Sequence, residues 1–129
     1  MDVLIRFLNI VEASEKKLEA TSNFPDVVPY GIELLNIISD NIDLRPEFGK
    51  LFIQTISKST LSHEPLVEFC MHSLRWVELK EEFGSLCDNA VKNSRWSEIQ
   101  RLQGALAAFE DDWEDAIDFY GEYFNAKNT

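Results

Sequence analysis

Residues 97–124 read SEIQRLQGALAAFEDDWEDAIDFYGEYF, and this stretch decides the fold. Ile99, Leu102, Leu106, Phe109, Trp113, Ile117, Tyr120 and Phe124 recur at steps of three and four. That is the period of a helix with one buried face. The expectation is a single helix from Ser97 to about residue 125, kinked near Glu110, with two helices as the alternative if Asp111 caps a second. Ser97 and Gln100 have the spacing of a capping box at its start.

The same period runs back through the chain. A first helix is expected from Val3 to Ala20, capped by Asp2, with Leu4, Phe7, Leu8, Val11 and Leu18 inward. A second runs from Val28 to Ile42 on an Ile32, Leu35, Ile38, Ile42 stripe, with Pro29 tolerated in its first turn. A third spans Pro46 to Lys58, with Phe48, Leu51, Phe52 and Ile56 inward; its β-branched stretch FIQTIS leaves a strand as the local alternative. SKSTLSHEP reads as a loop. Pro65 opens a fourth helix containing Leu66, Phe69, Cys70, Leu74 and Val77. It ends near Glu78 or bends into a fifth, Lys80 to Lys92, containing Phe83, Leu86, Cys87 and Val91. Five glycines and four prolines leave few breakers, and no Asn-Gly or Asp-Gly hairpin turn occurs. The fold class is therefore all-α: one domain over residues 1–129, a bundle or short stack of about six antiparallel helices.

Charge narrows the function classes. The formal net charge is −11. Nucleic acid and anionic membrane both call for a basic surface, so neither is an expected partner. Cys70 and Cys87 are too few for a disulfide framework and read as reduced core thiols of a cytoplasmic protein. The N-terminus lacks the basic region and cleavage site of a secretory signal, and no apolar run is long enough to span a bilayer.

The acidic charge concentrates at the end of the chain. Glu110, Asp111, Asp112, Glu114, Asp115, Asp118 and Glu122 lie in the last twenty residues, and no lysine or arginine stands between Arg101 and Lys127. On a helical projection Asp111, Asp115, Asp118 and Glu122 fall opposite the apolar stripe, each like-charge pair costing about 0.2–0.5 kcal/mol. Phe119 and Tyr123 fall on the flank, at the rim of the core. The plain reading is a solvated face. The sharper one is a docking surface for a basic protein, with Asp111, Asp112, Glu114, Asp115, Asp118 and Glu122 supplying charge and Phe119 and Tyr123 apolar anchors.

Catalytic and metal signatures are missing. H-E-x-x-H, zinc-type cysteine spacing, a calcium loop, a glycine-rich phosphate loop and G-x-S-x-G are all absent. His63, Cys70, His72 and Cys87 leave only a Cys–His pairing to weigh, and Cys70 reads as core. No enzyme, metal or cofactor is expected. Trp76, Trp96 and Trp113 read as core residues, with Trp96 also placed for a rim.

The stretch EPLVEFCMHSLRW, Glu64 to Trp76, followed by the acidic C-terminus, resembles the small helical immunity proteins of bacterial contact-dependent growth inhibition and related polymorphic toxin systems. The resemblance implies a cytoplasmic inhibitor that binds one toxin domain, often a nuclease, one to one. The alternative is a non-catalytic helical adaptor or assembly subunit that binds through an apolar groove between helices.

Overall fold

In a computed structural model, which describes residues 2–57 and 64–127, the chain is all-helical. The helices are α1 (Val3–Thr21), α2 (Val28–Asp40), α3 (Arg45–Ser57), α4 (Glu64–Leu74), α5 (Val77–Lys92), α6 (Trp96–Ala107), α7 (Glu114–Asp118) and α8 (Gly121–Lys127). Short 3₁₀ turns, Phe24–Val27 and Ile42–Leu44, lead into α2 and α3. No strand occurs among the described residues, and FIQTIS is helical.

Local chemistry sets most boundaries. Asp2 accepts a hydrogen bond from the Leu4 amide at 2.7 Å, satisfying a donor that the first turn of α1 would leave unpaired. Pro29 sits in the first turn of α2, where its missing N–H costs nothing. Three helices stop without glycine: Ser22, Arg75 and Ser94 take φ of 53°, 52° and 54°. At Ser22 this left-handed turn lets its amide close on the Leu18 carbonyl at 2.8 Å. Arg75 likewise ends α4, so α4 and α5 are separate helices and not one bent rod.

α1 packs along α2 and α5 along α6, while α4 lies against α2, α3 and α6. One cluster of buried side chains runs through all of them. Phe7 is fully buried, stacked on Phe48 at 5.9 Å and edge-on to Phe52 at 5.0 Å. Each such ring contributes about 1.5–3 kcal/mol by leaving water. Phe48, Phe52 and Ile56 hold the inward positions predicted for α3.

Several predicted core positions lie outside. In α2 the buried face is Gly31, Leu34, Ile37 and Ile38. Of the predicted stripe Ile38 is buried as expected, but Ile32 is exposed, Leu35 is half-buried, and Ile42 is exposed in the turn beyond the helix. Near-continuous apolar character gave two stripes of similar strength, and Phe69 of α4 selects between them by sitting against Gly31. Leu8, Val77 and Val91 are exposed, and Trp96 is 71 % exposed at the start of α6, whereas Trp76 and Trp113 are buried. Arg45 lies over the Trp76 ring at 4.5 Å and its guanidinium pairs with Glu78.

Gly31 is where the α2–α4 contact is tightest. A Cβ at this position would lie 2.3 Å from Phe69 Cδ1. Gly31→Ala gains about 1 kcal/mol of helix propensity. It forces apart a ring held on its other sides, a cost of about 1–3 kcal/mol for overpacking. The expected outcome is a net loss of up to about 2 kcal/mol, read as a lower urea midpoint. An unchanged or higher midpoint would mean that Phe69 moves freely.

Candidate partner-binding surface

The expected long terminal helix is broken. α6 ends at Ala107, turns occupy residues 108–113, and α7 and α8 follow as short separate helices. Neither Ser97 nor Asp111 caps: the residues ahead of α6 and α7 are Arg95 and Trp113, and neither makes a side-chain capping bond. The break spans the predicted kink, and it contains Asp111 and Asp112, whose short side chains compete for backbone hydrogen bonds and disfavour a helix interior. The α4–α5 region supplies what the helix gives up. His72 Nδ1 lies 2.8 Å from the Ala108 carbonyl, an acceptor freed at the end of α6, so this nitrogen carries the proton and donates. Burial then pushes the His72 pKa down. Arg75 pairs with Asp111, and Lys80 approaches Glu110 at 3.8 Å. The acidic run is thus relieved by cations distant in sequence.

Folding back keeps most of the aromatic stripe inside. Phe109, Trp113 and Tyr120 are buried. Phe69 meets Tyr120, Tyr123 and Phe124 at 5.3, 5.1 and 5.3 Å, and His72 meets Trp113 and Phe124 at 5.1 and 4.7 Å. α4 therefore carries the aromatic bed on which the C-terminal segment rests. Ile117 is the exception. Predicted as core, it is 74 % exposed, because in a five-residue helix the buried position goes to Ala116.

The exposed Ile117 forms one wall of a groove of about 700 Å³. Ile117, Phe119, Tyr120 and Tyr123 face Pro25, Val28 and Pro29 across it, with Asp118 and Glu122 lining the same opening. Phe119 is half-exposed and touches Phe24 edge-on at 5.0 Å. Of the acids named from the sequence, Asp118 and Glu122 line this groove, Asp112 and Glu114 line the pocket beside α6 with Asp115, and Asp111 pairs with Arg75. Asp111, Asp112, Glu114, Asp118 and Glu122 are exposed, and among the described residues Asp112, Glu114, Asp118 and Glu122 form no ion pair. Tyr123 is half-buried on Phe69.

Asp115 departs from the predicted display face. It is half-buried and turned toward Glu68 of α4; the two line both a 400 Å³ pocket under α1 and a second pocket beside α6. Desolvation, then Asp118 and Glu114, raise the pKa of Asp115. Glu68 is raised to about 8, chiefly by burial and then by Asp115 and Glu64. Sequence reasoning missed this pairing, as it missed Pro25, Val28 and Pro29, because each rests on contacts between elements far apart in the chain.

No family model, curated protein or solved structure matches this chain.

Among the described residues no group of three His, Cys, Asp or Glu side chains is arranged to hold a metal. The Cys70 thiol is fully buried and its pKa is pushed far up by desolvation, so it is no nucleophile near neutrality. Cys87 is also buried and unpaired with another cysteine. His63 lies outside the described residues. None of the described helices is long and apolar enough to cross a membrane.

Proposed function

We propose that this protein is a binding protein that takes a basic protein domain onto the groove between the Pro25–Pro29 segment and α7–α8. The carrying observation is an exposed apolar wall, Ile117 with Phe119, beside the acids Asp118 and Glu122, which form no ion pair among the described residues. An apolar centre with a charged rim is how protein interfaces divide anchoring from steering. Asp118 and Glu122 at the opening meet arginine or lysine, and Ile117 with Phe119 takes an apolar side chain. In the biological role proposed here, the partner is a toxin domain, for instance a nuclease, neutralised one to one in the cytoplasm. The chain's resemblance to immunity proteins motivates that role.

The adaptor reading shares the groove but not the acids. It places the binding energy in Ile117 and Phe119 alone, so its affinity is nearly independent of salt. Affinity capture at low ionic strength, with mass spectrometry of what is retained, identifies the partner, and a salt titration of the purified pair separates the readings. A basic partner whose affinity falls steeply with salt supports the proposal; a salt-insensitive one favours the adaptor.

A further inference from the structure

Among the described residues Glu68 is a carboxyl with no hydrogen bond or ion pair, held between α4 and the C-terminal segment. It stands where two pockets meet. Leu18 and Ser22 of α1 and Phe24 bound one, and Gly104 of α6 bounds the other. Gly104 leaves it room, since a Cβ there would lie 2.9 Å from Glu68 Oε2. The charged and titratable groups around it are almost all acids. Glu64 shares α4, Asp115 comes from α7, and Tyr120 follows α7. Glu110, Asp112 and Glu114 line the pocket beside α6. Among the described residues the nearby cation, Arg101 of α6, is turned to the Ile56 carbonyl at 3.0 Å and acts on Glu64 instead.

We propose that Glu68 is a proton-operated latch: neutral, it lets α7 lie against α4 beside Asp115, and ionised, it repels Asp115 and frees α7 and α8. A half-buried carboxylate without a cation beside it is costly, and so are two half-buried carboxylates next to each other. The proton removes both costs at once. The closed form holds that proton up to about pH 8. An open form, with Glu68 in water, releases it in the ordinary carboxylate range. Closure is therefore favoured at low pH, weakens as pH rises through that interval, and levels off above it. Opening removes the Ile117–Phe119 wall of the groove, so the latch would make the groove itself pH-dependent. The latch stands whatever the groove binds.

The test is amide hydrogen exchange, corrected for the intrinsic pH dependence of the chemistry. The reporters are Ala116, Phe119, Tyr120 and Phe124, whose amides bond to Trp113, Asp115, Asp115 and Tyr120 carbonyls. Their protection should fall by roughly tenfold or more between about pH 6 and about pH 9, while α1 stays protected. In Glu68→Gln, which keeps the shape and cannot ionise, that fall should vanish. Asp115→Asn, which removes the repelling partner, should shrink it. Constant protection in the natural protein, or an equal fall in Glu68→Gln, would overturn the latch.

Discussion

Phe69→Ala is expected to destabilise the protein by about 3–5 kcal/mol, the range for truncating a buried phenylalanine. The position argues for the upper part of that range. Phe69 is fully buried and is the ring on which Tyr120, Tyr123 and Phe124 converge, all within 5.3 Å. On its other side it fills the notch at Gly31. Truncation leaves a cavity between α2 and α4 and strips α8 of its support, and neither side can relax without losing further contacts. Urea unfolding measures the loss, and near-ultraviolet circular dichroism reports whether the aromatic bed survives. A loss below about 1 kcal/mol would show that the C-terminal segment does not rest on α4.

The second large effect is on binding. Asp118→Lys with Glu122→Lys reverses two exposed, unpaired acids at the mouth of the groove. Surface changes of this kind move stability by about 0.5 kcal/mol or less, so the fold should be intact. Affinity for a basic partner should fall by about a hundredfold or more, close to 3 kcal/mol, because attraction becomes repulsion on partly desolvated groups. Asp111→Lys makes the contrast. Asp111 already pairs with Arg75 and its side chain is 95 % exposed, so its reversal should cost much less. Equal losses from both variants would mean that net charge matters and the groove does not.

The sequence made the all-α class legible because its signals were local. Asp2 as a cap, Pro29 in a first turn and the Phe48–Phe52–Ile56 face of α3 depend on neighbours within a few residues. Phe109, Trp113 and Tyr120 were legible as buried, since their spacing suits a continuous helix and a folded-back one alike. Ile117 separates the two, and it went to the wrong face because nothing nearby encodes the bonds from His72, Arg75 and Lys80 that stabilise the break. The acidic corner could be read from composition, and Phe119 was placed at its rim. The wall opposite, Pro25, Val28 and Pro29, lies some ninety residues earlier in the chain. Asp115 shows the same limit: a helical projection assigns it to solvent, and only packing against α4 turns it toward Glu68.

The most direct test of the groove is isothermal titration of the captured basic partner into the natural protein, Ile117→Asp, and the double lysine variant, at low and high salt. Ile117 is exposed, so its replacement leaves the core untouched. Both variants should lose affinity, and the natural protein's affinity should drop steeply with salt while the double lysine variant loses that dependence. A partner that binds all three proteins alike, with the same response to salt, would place the interface elsewhere and contradict the account.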